Sequence, residues 1–519
     1  MLSRGSQPIE LYGALWEAPF CSIRQSGPVS GRPAMTMTNE SLQNGSPTDP
    51  AVSASHLQRK LSEPQLSMIA IGGAIGVGLF LGSSVTVSLA GPSVILTYIF
   101  GALLALIMAY SLAEMAVVHP VAGSFGIYAQ RYLNPWAGFT VRATYGLVQI
   151  IAIGAEVTAV AIYFQFWFPS IPQCVWVSVV SLGVVCINAL HVGNFGEFEY
   201  WFSWVKVAAI IVFSGVGVVL ITGLSPHPAV GLTNLIAFGG FFPHGLRGMW
   251  LAFTLTMSSY MGVEVLAVTA GEAKRPEEAI PRAMRTMVFR LILFYVLAIA
   301  VMVTVTPWNQ TGDGTLSASP FVRAFASVGI PYAASIMNLV VITAALSSAN
   351  TNLYLSTRML FSLARGSLAP APLGALSSKG VPHRALAVSS LGMVIAILLA
   401  VYAPQRAFLL MYGSAVAGMY YVWIVILVTH LRFRRVIGPK VKELPLKLHF
   451  FPLSNILGIA VLIAIAGSTF VVKGLEYSVP AFLVLLAFMS LEYRRVRLRR
   501  APRAVSPFET SPESLPPEL

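Results

Sequence analysis

Long apolar stretches recur along the chain from Leu66 onward, and short polar stretches separate them. A helix needs about 20 mostly apolar residues to cross the hydrocarbon core of a bilayer. Each stretch therefore predicts one transmembrane helix, and together they predict an all-α membrane protein with 12 transmembrane helices. The predicted spans are 66–88, 93–117, 136–168, 175–192, 198–222, 246–270, 285–307, 332–358, 384–403, 407–431, 454–472 and 477–493.

The two ends of the chain differ from this pattern. Residues 1–60 are rich in Ser, Pro, Gly, Asn and Gln without a sustained apolar window, which predicts a disordered tail. They lack the basic segment, apolar stretch and cleavage site of a signal peptide. Residues 496–519 form a second predicted tail, so the transmembrane domain is expected to occupy residues 61–495.

Positive charges are divided unequally between the two sets of loops. With an even number of spans both termini lie on one side, and cytoplasmic loops are enriched in Lys and Arg. The loops from odd to even spans carry Arg247, Arg323, Arg406 and Lys473. The opposite side carries Arg59, Lys60, Arg131, Lys274, Arg275, Arg282, Arg285, Arg358, Arg365, Lys379, Arg384, Arg432, Arg434, Arg435, Lys440, Lys442, Lys447, Arg494, Arg495, Arg497, Arg499, Arg500 and Arg503. Both termini are therefore predicted to be cytoplasmic.

Composition narrows the class of protein. The chain is 56% hydrophobic and 10% charged, whereas soluble domains are about 25% charged. Its mean hydropathy is +0.74. The net charge of +13 follows from loop orientation, so no nucleic acid partner is expected. Cys21, Cys174 and Cys186 show no CxxC spacing, and neither GxxxxGK nor HExxH occurs, so no metal, cofactor or enzymatic activity is predicted. Without a phosphate loop, the chain is not expected to hydrolyse ATP by itself.

The first span contains a cluster of glycines: Gly72, Gly73, Gly76 and Gly78. Each interior glycine destabilises a helix by about 1 kcal/mol relative to alanine. Close helix packing accounts for Gly72 and Gly76 but does not require the other two. If the helix unwinds here, the amides of Gly76, Val77 and Gly78 lie at the positive end of a half-helix, where they suit a substrate carboxylate.

The sixth span is interrupted between Ser258 and Glu264 by polar residues, a glycine and a carboxylate. The groups freed there are carbonyls at the negative end of a half-helix, which suit an ammonium group. Spans 1 and 6 are five apart, as expected for two inverted five-helix repeats with a site between them. Donors at one break and acceptors at the other match a zwitterionic α-amino acid.

At these residues the chain resembles the amino acid–polyamine–organocation (APC) superfamily, and most closely its bacterial amino acid permeases. The resemblance covers about residues 57–495 and rests on the order and spacing of four pieces. These pieces are Ile71–Phe80, then Ala122–Phe125 with Tyr128, then Gly196–Trp201 leading into Lys206, and finally Ala270–Pro276 running on to Ala279–Ala283.

The resemblance implies a LeuT-like architecture in which helices 1 and 6 are discontinuous. A 5+5 inverted repeat would occupy about residues 66–222 and 246–431, and two extra helices would follow at about 454–493. It further implies alternating access across the bacterial inner membrane.

The resemblance also implies roles for individual residues. Some relatives have an aromatic gate where this chain has Ser258, so Tyr260 and Gly262 become the pocket or gate candidates. The carboxylate is expected at Gly76, Val77 and Gly78, and the amino group at the carbonyls of Ile75, Ser258 and Met261.

Ionisable residues inside a membrane predict a pathway, a proton site or a structural pair. Glu156 is interpreted as a site or proton-coupling residue, or as a buried hydrogen-bond partner. Lys206, which the resemblance places near the first helix, either exchanges protons or is permanently paired with a carboxylate or with broken-helix carbonyls. Glu264 either couples protons or pairs with Lys206, a backbone amide or a basic substrate. Arg142 and Arg290 lie near span ends and are expected to snorkel to the interface.

These features favour a secondary active transporter that imports an L-amino acid by proton symport. Protons are preferred because no sodium site is identifiable, whereas Glu156 and Lys206 are titratable. Exchange is the alternative coupling, and a channel or a membrane enzyme is the alternative class. The expected partners are an amino acid, protons and the lipid bilayer, with no obligate protein partner. Side-chain specificity is assigned to helices 3, 6, 8 and 10.

Overall fold

The computed structural model describes residues 75–121, 124–190, 192–224, 229–265, 276–311, 319–327, 332–377, 380–472 and 474–499. Within these ranges the chain is helical and has no β-strand, which confirms the predicted all-α class. The α-helices are α1 (Val77–Phe80), α2 (Gly82–Ala90), α3 (Val94–Val118), α4 (Ser124–Tyr132), α5 (Pro135–Phe164), α6 (Gln173–Leu190), α7 (Val192–Thr222), α8 (Gly245–Thr256), α9 (Pro276–Arg290), α10 (Ala298–Val305), α11 (Trp308–Thr311), α12 (Pro320–Ser327), α13 (Ala333–Arg365), α14 (His383–Ser389), α15 (Leu391–Tyr402), α16 (Pro404–Ile437), α17 (Leu453–Ser468) and α18 (Ser478–Arg499).

Tighter and wider helical turns connect several of these helices. A π-helix over Leu291–Leu297 joins α9 to α10. Short 3₁₀ turns occupy Gly91–Ser93, Thr233–Leu235, Met257–Tyr260, Ala371–Gly374, Gly438–Glu443 and Thr469–Val471.

Eight helices in the described ranges are long and apolar enough to cross a membrane, which confirms a multi-pass membrane protein. They are Gly82–Val118, Pro135–Phe164, Glu199–Thr222, Ile280–Val305, Ala333–Arg365, His383–Tyr402, Pro404–Glu443 and Leu453–Val471. The total of 12 transmembrane helices and the inverted repeat stay predictions. The sixth predicted span, for example, appears as the 12-residue helix α8 followed by a break, so it is not among the eight long helices.

Burial separates central helices from peripheral ones. The apolar window of α5 is 72% buried inside the protein, whereas that of Leu453–Val471 is 33% buried. Large apolar side chains stay exposed on the outer helices, such as Leu182 at 66%, Trp201 at 63% and Val484 at 72%. Exposed apolar surface of this kind suits contact with lipid.

Helix α5 positions much of the candidate site. Its first residue, Pro135, suits the first helical turn, and the side chain of Asn134 caps the helix by accepting from the Ala137 amide at 2.8 Å. Helices α13 and α16 both pack along α5. These two helices therefore flank α5, on which Glu156 is buried.

Close backbone contacts hold α15 against α5. A Cβ atom added at Gly154 would lie 2.7 Å from the carbonyl oxygen of Gly392, and one added at Gly392 would collide with the carbonyl of Ile150. Glycine permits this approach because it carries no side chain. The packing fixes the rotation of α5 and so the direction in which Glu156 points.

Away from the site, a buried cluster ties α3 to α16 and to the segment before α17. The Glu114 carboxylate accepts from His430 Nε2 at 2.9 Å, from Arg434 Nε at 2.9 Å and from the Leu448 amide. Asn455 donates to the other ring nitrogen of His430 at 3.1 Å. The loop-charge pattern counted Arg434 among the basic residues of the cytoplasmic side. In the structure it forms an ion pair with the buried Glu114.

The expectation that Arg142 and Arg290 snorkel to the interface is wrong. Both are buried, at 3% and 1% exposure. Arg142 stays inside because it passes over Gly126 and donates to Gln130 at 2.8 Å. Arg290 ends α9 just before the π-helix, and its three guanidinium nitrogens have no hydrogen-bond partner.

Candidate substrate site

The first break begins where the sequence predicts free amides. Gly76 is extended, with φ −133° and ψ −161°, and α1 begins at the next residue. Helix α1 is joined to α2 through Leu81, whose amide donates to the Val77 carbonyl at 2.8 Å. The amides of Gly76, Val77 and Gly78 therefore lie at the N-terminal end of a half-helix, where they have no preceding helical carbonyl.

The second break follows α8. A 3₁₀ turn over Met257–Tyr260 leads into an irregular turn over residues 261–264. Gly262 has φ +103°, a backbone conformation that side-chain-bearing residues rarely adopt. Both oxygens of Glu264 accept from the Gly262 amide at 3.1 Å, and the Tyr145 hydroxyl donates to Glu264 at 3.2 Å. Of its predicted partners, Glu264 thus contacts the backbone amide.

The two breaks meet at Gly78. A Cβ added there would lie 3.0 Å from the Cα of Ser259, 3.4 Å from the Ser258 carbonyl oxygen and 2.9 Å from the Tyr412 hydroxyl. Gly78 therefore has a packing role that the sequence pattern did not assign. Its small size brings the amides of one break next to the carbonyls of the other.

A cavity lies between the breaks and is closed by α5, α13 and α16. Its empty space, including the part open to solvent, is about 620 Å³. The predicted residues that line it are Gly76, Val77, Gly78, Glu156, Ser258, Met261 and Gly262. Further lining residues from the three helices include Gln149, Ser348, Asn352, Tyr412 and Met419.

Three buried polar atoms on the cavity wall have no hydrogen-bond partner. They are Oε2 of Glu156, Oγ of Ser258 and the hydroxyl of Tyr412. A buried polar atom without a partner is destabilising by about 1–3 kcal/mol. These atoms therefore mark where a polar ligand would be hydrogen-bonded.

Four predicted site residues are not among those that line the cavity: Tyr260, Ile75, Lys206 and Glu264. The ring of Tyr260 stacks on Tyr295 with centroids 4.7 Å apart, and its hydroxyl donates to the Tyr98 carbonyl at 2.6 Å. Tyr260 therefore supports the second break from behind and does not face the cavity. The Ile75 carbonyl accepts from Lys206 Nζ at 3.5 Å.

Lys206 also lies behind the cavity wall. It is fully buried, donates to the Ser347 hydroxyl at 2.8 Å and lies 3.6 Å from the Glu199 carboxylate. Of the alternatives drawn from the sequence, the structure thus shows both a carboxylate partner and a broken-helix carbonyl.

Glu156 faces the first break directly. The Val77 amide and the Ser348 hydroxyl lie beside its carboxylate and can donate to it. One carboxylate oxygen lies 2.9 Å from the position of a Cβ added at Gly76. No ion pair within the described chain includes Glu156.

Sequence reasoning missed the polar residues contributed by α5, α13 and α16. Gln149 lies two helical turns before Glu156, and Asn352 one turn after Ser348, so each pair shares one helix face. Polar residues at such spacing in an apolar span are a signal for a lined cavity. Tyr412 gives no comparable signal, because tyrosine is common in spans.

Some predicted features lie outside the described residues: Gly72, Gly73, and the loop residues Glu272, Lys274 and Arg275. In the part of the chain that is described, no group of three or more His, Cys, Asp or Glu could hold a metal ion.

Comparison with known proteins identifies the family. The profile of the amino acid permease family matches residues 65–491. The chain belongs to the amino acid permease family. Among similar permeases, "Uncharacterized amino acid permease YtnA" of Bacillus subtilis is 39% identical over 409 residues, which is 78% of this chain and 88% of that protein. The gamma-aminobutyric acid permease of B. subtilis is 36% identical over 471 residues, which is 89% of this chain and 99% of that protein.

A solved transporter shares the fold of this permease. The crystal structure of a mutant of the Eremococcus coleocola manganese transporter matches with a TM-score of 0.56 and 14% sequence identity. The match covers 87% of the permease and 97% of the other chain. At this identity it bears on the fold alone.

Proposed function

We propose that this permease is a secondary active transporter that imports an L-amino acid by proton symport. The observation that carries the proposal is the set of partnerless polar atoms on a cavity between two helix breaks, one offering amides and the other carbonyls. An amino acid supplies the missing partners, because its carboxylate and ammonium sit on one carbon. Membership of the family supports the substrate class.

In this proposal the amides of Gly76, Val77 and Gly78 bind the substrate carboxylate. The carbonyls of Ser258 and Met261, at the facing break, bind the ammonium group. The Ile75 carbonyl is already engaged by Lys206 and is assigned a supporting role.

Alternating access would proceed by movement of one five-helix repeat, about residues 66–222, against the other, about residues 246–431. The breaks belong to different repeats and meet at Gly78, so a substrate between them contacts both moving parts. We place the permease in the bacterial inner membrane with both termini cytoplasmic.

The coupling to protons is assigned to Glu156, with Lys206 and Glu264 as the other candidates. His119, directly after the end of α3, is poorly suited to the role. Burial, and to a lesser degree Arg131, lower the pKa of His119 to about 4, so it is neutral across the pH range of transport. A pH-dependent uptake would therefore not originate at His119.

Uptake of radiolabelled amino acids into proteoliposomes tests the function. We expect accumulation to rise when an inward proton gradient is imposed, because the proton and the substrate enter together. Uptake that ignores the gradient and requires internal amino acid would instead identify an exchanger. Absence of uptake and exchange for every amino acid would refute the proposed substrate class.

Replacing Tyr412 by phenylalanine tests whether its hydroxyl, which α16 places on the cavity wall, binds the substrate. We expect the substrate Kd to rise about tenfold or more, since a hydrogen bond to a charged group contributes about 1.5–3 kcal/mol. The ring stays and a buried hydroxyl without a partner is removed, so the unfolding temperature should not fall below that of the parent. Binding is measured by ligand-induced thermal stabilisation. Tyr402→Phe, at a residue 83% exposed, is the matched control and should leave Kd unchanged.

A further inference from the structure

A second polar cluster lies beside the first break, behind the cavity wall. Glu199 and Lys206, both on α7, are fully buried and 3.6 Å apart. Seven residues make about two helical turns, so the two side chains share one face. Ser347 of α13 links them, because its hydroxyl donates to Glu199 at 2.5 Å and accepts from Lys206 at 2.8 Å.

The surroundings of Lys206 single out Glu199 as its counter-ion. The charged groups that act on Lys206 are Glu199 on its own helix, Glu156 on α5 and Arg290 on α9. Within the described residues, the ion pair formed by Lys206 is with Glu199. A buried ammonium needs such compensation, because removing one charge of a buried pair leaves the other unpaired in a dry environment.

We propose that Glu199 is a positioning residue: a fixed counter-ion that keeps Lys206 charged and directed at the carbonyl of Ile75. Ile75 immediately precedes the extended residue Gly76, so the pair anchors the entry to the first break. The pair carries no net charge and needs no proton exchange to be stable. Glu156, whose Oε2 has no partner, is left to carry the proton. This inference rests on the proposed function.

A thermodynamic cycle on the purified protein tests the pairing. Glu199→Gln and Lys206→Met should each lower the midpoint of thermal unfolding by about 5 °C or more, because each leaves one buried charge without its partner. The double variant should return to within about 2 °C of the parent. A double variant as unstable as the sum of the two single losses would overturn the proposal. These unfolding measurements require no transport, so their outcome is independent of the proposed function.

Amino acid exchange in proteoliposomes tests the positioning role. Glu199→Gln should reduce exchange at least about tenfold, whereas Glu199→Asp, which keeps the charge, should recover to within about threefold of the parent. Equal activity of Glu199→Gln and the parent, or equal loss in both Glu199 variants, would overturn the proposal. Glu492→Gln, at a residue of the last helix paired with exposed Arg495, is the acid-to-amide control. Failure of the parent itself to exchange would count against the proposed function instead.

Discussion

Replacing Gly76 by valine is expected to abolish substrate binding. A Cβ at this position would collide with the Ser348 hydroxyl and lie 2.9 Å from a carboxylate oxygen of Glu156. The valine methyl groups would extend further into the space assigned to the substrate carboxylate. The loss should be at least about 100-fold in Kd, because several charge-assisted hydrogen bonds are blocked together. Ligand-induced thermal stabilisation and counterflow measure it.

The matched control is Gly183→Val, a substitution of the same size in the apolar helix α6. A Cβ at Gly183 would meet no atom within 4 Å. This variant should bind and transport like the parent. Gly76→Ala should fall between the parent and Gly76→Val. Normal binding by Gly76→Val in the folded protein would remove the carboxylate assignment, whereas loss of binding in Gly183→Val as well would show that bulk alone disturbs the fold.

The positions of most spans could be predicted from the sequence because apolar length is a property of a local window. The predicted span 136–168 corresponds to α5, Pro135–Phe164, and 407–431 lies within α16, Pro404–Ile437. The ends differ because helices continue past the hydrocarbon layer wherever no residue breaks them. The last helix likewise continues to Arg499, into the predicted tail.

The breaks could be predicted for a different reason. Gly76 and Gly262 interrupt helices through backbone preferences that act over a few residues. The partners of buried charges depend on contacts between distant helices, which no local pattern contains. Arg142 is buried against Gly126 and Gln130, and Glu199 contacts Ser347 and Lys206, of which Ser347 belongs to a distant helix. Tyr260 was assigned to the gate for its position beside Ser258, but the 3₁₀ turn rotates its ring towards Tyr98.

In the proposed mechanism, Glu156 and the substrate carboxylate compete for the same donor. The Val77 amide lies beside the Glu156 carboxylate, and the same amide is assigned to the substrate. Two negative carboxylates that share one amide donor repel each other in a poorly solvated cavity. Binding is therefore favoured when Glu156 carries a proton, because the neutral acid releases the amide and can donate to the substrate. In the proposed mechanism this competition would couple one proton to one amino acid, and Lys206 would not need to titrate.

Glu156→Gln should separate binding from coupling. The neutral amide resembles the protonated acid, so we expect substrate affinity within about threefold of the parent at about pH 6 and loss of the decrease in affinity towards about pH 8. Exchange should persist, and the stimulation of uptake by an inward proton gradient should disappear. Gln149→Glu/Glu156→Gln moves the acid two turns along the same face and should not restore coupling, because residue 149 is two turns from the residue that faces the Val77 amide. If Glu156→Gln still accumulates substrate in response to the gradient, the proton is carried by another group and the competition between the two carboxylates is not the coupling step.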